Sequence, residues 1–419
     1  PPRSTLFPYT TLFRSDDIGA TSRVMSEIYD AVVIGGGVVG AATAFNLKKL
    51  GCDRVLLLER AETCSGGTAK SCAIIRTHYS IATNTELAVR SLETFSNFRE
   101  ALGDADADCG WVNSGYLILA PEGDIAENLT ANLAMQAGVG AETRPISREE
   151  ATELHPHLAL DDIAAIGYEP RSGYADPYQT TQSYIRAAIG LGVEVKRFSA
   201  ALGLVCENNR VIGVETSSGT IAAGSVVAAI GPWSHALADW TGLDLSLEIS
   251  RHIVVTFGAA EPYGRTLPII KDLSTVNKMY FRPATDGAVL VGTGDHGDPI
   301  ETPGEADATV DMEFIAHQGA QLAHRMPSFA DGEFKRSWTG PYDITPDWNP
   351  VLGPAPGFDG LHLAYGFSGH GFKLAPAVGR VLAQGVLGME ADIEISAYSL
   401  ARFATGELLV GSYGIGSIS

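Results

Sequence analysis

Cysteine is scarce. The 419 residues hold five (Cys52, Cys64, Cys72, Cys109 and Cys206), an odd number with no C-x-x-C spacing. That excludes a disulfide framework and a zinc signature, and it makes a reducing compartment, the cytoplasm, the expected setting. Basic charge is short as well: 29 Lys+Arg stand against 49 Asp+Glu, a formal net charge of −20. Binding a phosphate backbone needs clustered cations, so a nucleic-acid partner is excluded. Long apolar runs are missing. The longest uncharged stretch near the start, residues 31–47, is too short and too glycine-rich to span a bilayer, so no transmembrane segment is expected. His155-Pro-His157 lacks the further ligands of a metal site, and no metal is expected. What remains is globular composition, 45 % hydrophobic, at a length that suggests two or three domains or one interleaved pair.

Residues 1–24 stand apart. Thr5-Leu-Phe-Pro-Tyr-Thr-Thr-Leu-Phe-Arg-Ser15 reads as a translated oligonucleotide fused in frame, and Pro8 with its threonines breaks any signal-peptide core. These residues are expected to be a non-native, disordered leader, with Met25 as the natural start.

The most regular segment follows. Residues 28–34 are a β-branched apolar run, as in a parallel strand buried on both faces. Gly35-x-Gly37-x-x-Gly40 comes next, then a helical stretch over 41–50 ended by Gly51, then a second apolar run at 55–58 ending in Glu59-Arg60. In such a βαβ unit the first glycine permits the turn, the second lets a pyrophosphate approach the backbone, and the third packs helix on strand. The helix N-terminus favours the phosphates, and Glu59 is placed for ribose hydroxyls. The motif leaves FAD and NAD both open. Further on, strands are expected near 111–119, 193–206, 211–216, 225–230, 248–257, 276–283 and 287–293, and helices near 122–137, 147–154, 176–190, 308–324 and 369–387. Parallel, antiparallel, then parallel signals predict an α/β chain (α+β overall). In it a Rossmann-type domain (25–110, 165–245 and 335–391) is interleaved with an antiparallel-sheet substrate domain (111–164 and 246–334), and 392–419 form a C-terminal tail.

Taken alone, Arg76 and His78 read as surface charges and Gly366-Phe-Ser-Gly-His-Gly-Phe-Lys373 as a glycine loop. Together with Asp30-Ala-Val-Val-Ile-Gly-Gly-Gly-Val-Val-Gly40, Ile74-Ile-Arg76, Gly231-Pro-Trp-Ser234 and Tyr342-Asp-Ile-Thr-Pro-Asp347 they form a pattern. In it the chain resembles the D-amino-acid-oxidase-like FAD oxidoreductases, most closely the branch of sarcosine oxidases, dimethylglycine dehydrogenases and glycine oxidases. The resemblance implies a two-domain FAD enzyme that oxidises the C–N bond of a small amino acid by hydride transfer to flavin N5, with hydrolysis of the imine. An N-methyl substrate of the sarcosine or dimethylglycine type is expected. The alternatives are a D-amino acid, glycine or proline derivative, or a flavoprotein subunit of a hetero-oligomer. It implies that Arg76 and Lys373 hold the substrate carboxylate, with His78 and Tyr280 as further catalytic candidates. His252, His296 and His370 are other acid–base candidates. Cofactor contacts are implied for Gly35, Gly37, Val38, Val39, Gly40, Glu59, Arg60, Thr68, Ser71, Val205, Gly231, Trp233, Gly340, Tyr342, Gly369, His370, Gly371, Phe372 and Lys373.

Three departures from monomeric sarcosine oxidases stand out. The position of their flavin-tethering cysteine is Gly340, so non-covalent FAD is expected there. Their oxygen-activating lysine is matched by Leu290, which opens the acceptor to a quinone or an electron-transfer protein as well as O₂. An arginine three residues before the counterpart of Arg76 is Ala73.

Overall fold

The structure, a computed structural model, describes residues 28–259, 261–284, 286–294 and 298–416. The expected leader and His296 lie outside the described residues. Apolar, β-branched runs build the centre of an eight-stranded sheet in the order Val351–Pro354, Leu361–Tyr365, Gly219–Ala228, Ile28–Ile34, Val55–Leu58, Glu194–Lys196. The pairs from Leu361–Tyr365 through to Glu194–Lys196 are parallel, and the hairpin Ala201–Glu207/Arg210–Thr216 extends from Gly219–Ala228. Both faces of the central strands are buried: Val33 and Leu57 pack with helices on one side, Val32 and Leu56 with Val211, Leu237 and Leu363 on the other.

The helices on the first face are Val38–Lys49, Ala82–Ser96, Pro177–Leu191 and Gly371–Val386. Asp176 caps Pro177–Leu191 by accepting from the Gln179 amide at 2.8 Å. The helix Ala82–Ser96 lay unassigned in the sequence, because Thr, Asn and Ser dilute its apolar face of Leu87, Ala88, Leu92 and Phe95. Val38–Lys49 and Gly371–Val386 touch through glycine. A Cβ on Gly379 would stand 2.7 Å from the Ala42 carbonyl carbon.

A second, nine-stranded sheet is antiparallel except where Ile269–Asp272 runs parallel to Tyr116–Ala120. Its period-two alternation separates two faces. Leu117, Leu119, Ile270, Phe281, Val289 and Val291 pack against Ile315 and Leu322 of the helix Met312–Arg325. Tyr116, Lys271 and Tyr280 point the other way, toward the first sheet's helices, and line a cavity there. Ala165–Glu169 and Glu333–Ile344 both pair within this sheet, on the other side of the boundaries expected at 165 and 335. The strand expected over 276–283 is confined to Tyr280–Pro283, and Ile269–Asp272 is an additional one.

The C-terminal residues are docked. Arg402 donates to both carboxylate oxygens of Asp347 (2.7 and 2.9 Å) and to the Asn349 carbonyl, and the Leu409 amide also reaches Asp347. Asp347 of the Thr-Pro-Asp motif is thus a structural anchor. Among the described residues no helix is long and apolar enough to cross a membrane.

Gly379→Ala is expected to destabilise the protein by about 1–3 kcal/mol through overpacking, read as a lower thermal midpoint. Gly385→Ala, in the same helix but facing open space, serves as the control and leaves the midpoint unchanged or raised.

Candidate active site

The first strand ends at a forced turn. Gly35 has φ +111°, and a Cβ there would meet the Ala229 carbonyl oxygen at 2.3 Å. A Cβ on Gly40 would fall 1.9 Å from the Gly35 carbonyl oxygen, so the third glycine of the motif lets helix pack on strand. The N-terminus of Val38–Lys49 therefore opens into a cavity of about 350 Å³. Its cap, Gly37, offers no side-chain acceptor, and the Val38 amide donates to Thr68 Oγ1 at 3.2 Å. Glu59 stands at the end of the neighbouring strand, accepting from the Gly36 amide at 2.7 Å and the Ala61 amide at 2.8 Å. The Arg60 guanidinium lies 4.2 Å above the Trp233 ring.

Gly35, Gly37, Val38, Val39, Glu59, Arg60, Thr68, Ser71, Gly231, Trp233, Tyr342, Gly369, Gly371 and Phe372 line this cavity. Val205 does not. It faces Gly213 across the hairpin, and the wall is made instead by Ser199, Ala200 and Ala201 at the start of that strand, four residues earlier. Gly340 also lies off the cavity: a Cβ there would press on the Lys70 side chain at 2.6 Å, while Pro341, Tyr342 and Asp343 supply the wall. Gly40 packs behind the turn.

A second cavity, of about 80 Å³, adjoins the first and shares Ser71, Tyr342, Gly369 and Phe372 with it. Arg76 and Lys373 both line it, although 297 positions separate 76 from 373 in the chain. The short strand Ile74–Ile75 delivers Arg76, which donates to the His78 carbonyl and lies 4.3 Å from the Tyr79 ring centre. Lys373 sits in the first turn of Gly371–Val386, where the helix dipole opposes a cation. Burial, then Arg76, pulls its ammonium well below the usual lysine range; Cys72 opposes this, and Lys271 adds the smallest effect, a further lowering.

His370 and Tyr280 line the same cavity. The Tyr280 hydroxyl lies 2.9 Å from His252 Nε2 and 3.0 Å from Cys72 Sγ. His252 stands behind Tyr280, off the cavity, and stacks on Tyr342 at 4.5 Å. Burial, then Lys271, lowers it to about 3, so it is neutral. His78 is displaced from its expected role. Its ring is buried between Gln136 (3.1 Å) and Tyr413 (3.2 Å), off the cavity, and burial followed by the charge of Arg76 lowers it to about 3. It seats Arg76 through its carbonyl instead. His155 lies elsewhere, buried against Tyr263. The sequence reading missed Lys271, a third cation on the cavity wall; a lysine amid Ile269 and Ile270 was the available signal.

The chain matches the family described as FAD dependent oxidoreductase over residues 30–385. It belongs to that family. It is 31 % identical to FAD-dependent oxidoreductase domain-containing protein 1 of Bos taurus, over 92 % of this chain and 87 % of that protein. It is 28 % identical to sarcosine oxidase subunit beta of an Arthrobacter species, over 91 % of this chain and 92 % of that one. Its fold superposes on the crystal structure of L-proline dehydrogenase from P. horikoshii with a TM-score of 0.84 at 29 % identity, covering 91 % of this chain and 100 % of that one.

The residues present fit FAD. The glycine turn that a Cβ would fill, the uncapped helix N-terminus and Glu59 at the strand end suit the pyrophosphate and ribose of this oxidoreductase's cofactor. The four residues common to both cavities join the dinucleotide site to the smaller cavity. Glu59→Gln is expected to weaken FAD binding roughly 10- to 100-fold, the worth of a charged hydrogen bond, measured by fluorescence of released flavin. Glycine at 340 has no side chain to tether a flavin, so acid precipitation should leave all yellow colour in the supernatant; colour in the pellet would reveal another attachment point.

Proposed function

We propose that this oxidoreductase oxidises the C–N bond of a small amino acid, and that an N-methyl amino acid of the sarcosine or dimethylglycine type is its substrate. The observation that carries this reading is the convergence of Arg76 and Lys373 on a cavity adjoining the dinucleotide site. A volume of about 80 Å³ beside the larger cavity suits a small amino acid. The names of the relatives point the same way, since sarcosine and proline are both amino acids with a secondary amine.

Arg76 and Lys373 would each donate to the substrate carboxylate, giving charge-assisted hydrogen bonds in a site where an unpaired charge is costly. The clustered cations have a further effect. The burial and the charge of Arg76 that lower Lys373 also disfavour a substrate ammonium, so the bound amine is held neutral and its nitrogen lone pair is free. No histidine has to remove that proton, in keeping with the buried neutral states of His78 and His252. When bound, FAD would supply the two-electron acceptor for a hydride from the carbon beside nitrogen, and water would hydrolyse the resulting imine. The residues this chain contributes are those that bind, orient and desolvate the amine. Five free thiols suit a reducing cytoplasm. The likeness to an oxidase subunit favours a second reading in which the chain works within a hetero-oligomer; size-exclusion of the protein purified alone, with an artificial electron acceptor, separates the two.

Anaerobic bleaching of the flavin by sarcosine, dimethylglycine, glycine, proline and D-amino acids tests the substrate class, and failure of every amino acid would remove the proposal. Arg76→Ala is expected to raise KM roughly 10- to 100-fold, in line with one lost charged contact, while FAD stays bound. An unchanged KM for every substrate would take Arg76 out of this role. His78→Asn should leave the pH profile of kcat/KM without a lost ionisation; disappearance of a limb would make His78 the base.

A further inference from the structure

Lys271 has no task in the chemistry above. It is buried, on the sheet face that turns toward the smaller cavity, at a position where its strand neighbour Ile269 and its cross-strand partner Ile118 are apolar. Its Nζ reaches the Lys278 carbonyl at 2.6 Å and lies 5.5 Å from the Tyr280 ring centre. The adjacent Asp272 offers it no direct contact: that carboxylate points to the other face, where Arg325 (2.7 Å) and Ser274 (2.6 Å) bind it. Among the described residues no carboxylate pairs with Lys271 or with Lys373.

Three basic side chains therefore border one small cavity. Arg76 and Lys373 come from the first sheet's side, and Lys271 comes from the antiparallel sheet. The carboxylate that offsets Arg76 is Glu169, already accepting from the Thr77 amide at 3.0 Å, Thr77 Oγ1 at 2.9 Å and Ser172. Burial, then the charge of Arg76, lowers both lysines. One substrate carboxylate would leave this excess only partly matched. An anion with two carboxylates would match it, and the third cation stands on a different wall from the pair that takes the first carboxylate.

We propose that Lys271 binds a second acidic group of the substrate, so that the enzyme prefers a short dicarboxylic amino acid over its monocarboxylic counterpart. This rests on the reading of Arg76 and Lys373 as the site of the first carboxylate. It assigns Lys271 as a specificity-determining residue.

Two inert acids test it directly on the FAD-loaded enzyme. Malonate should perturb the flavin spectrum with a Kd at least tenfold below that of acetate, and Lys271→Met should bring the two together. Equal binding of malonate and acetate by the wild type overturns the proposal without any variant. In turnover, kcat/KM for N-methylaspartate should exceed that for N-methylalanine, both enantiomers of each being tried, by tenfold or more. Lys271→Met should abolish that ratio and Lys271→Arg should preserve most of it. An equal loss on both substrates, or a loss confined to reoxidation by O₂, overturns the assignment. If no amino acid of any kind bleaches the flavin, the oxidation of amino acids falls, while the malonate-to-acetate ratio still decides the role of Lys271.

Discussion

Like charges buried side by side are the constraint on which this molecule turns. Arg76, Lys271 and Lys373 are all withdrawn from water, and burial, then the charge of Arg76, makes both lysines harder to keep charged. Lys373 carries the added opposition of a helix N-terminus. A fold tolerates such an arrangement only where rigid elements hold it. Here the elements are a strand pair, a long helix packed through Gly379, and the face of a nine-stranded sheet. Basic side chains on the smaller cavity disfavour a cation and receive an anion, and the function proposed above needs that condition for an acidic amine to bind by its carboxylate and lose a proton from nitrogen.

The two sheets divide the labour. The parallel sheet is buried on both faces and ends in a glycine turn that leaves a helix N-terminus exposed to a dinucleotide. The antiparallel sheet buries one face under Met312–Arg325 and presents its other face, with Tyr116, Lys271 and Tyr280, to the smaller cavity. Alternation along each strand sorts side chains between core and site, and the shared residues Ser71, Tyr342, Gly369 and Phe372 join the two cavities.

Local features were the legible ones. The glycine turn, the helix after it and Glu59 follow from a short contiguous pattern, and the structure puts them on one cavity. That Arg76 and Lys373 meet came from likeness to a family, since no local pattern brings together residues so far apart. Other features depend on register or on contacts distant in sequence. Val205 was placed four residues too far along its strand, because an apolar run does not say which of its positions meets the cavity. His78 is two residues from Arg76, but the extended pairing stops at Ile75 and the imidazole turns into the core toward Gln136. Lys271 lies on a four-residue strand that begins after Pro268, too short to show its alternation. In Glu333–Ile344, charges, Gly340 and Pro341 hid a strand that tolerates proline because it pairs on one side only. The role of Asp347 was invisible without Arg402, 55 residues away.

The docked C-terminal stretch gives the site an unusual dependence. Tyr413 steadies the His78 ring, and the His78 carbonyl in turn receives Arg76, so the seat of the guanidinium on the smaller cavity is completed by a residue 337 positions further along the chain. A proteolytic nick between Arg402 and Tyr413 would touch neither cavity, yet it would loosen the arginine. The integrity of residues 402–413 is thereby tied to the placing of Arg76.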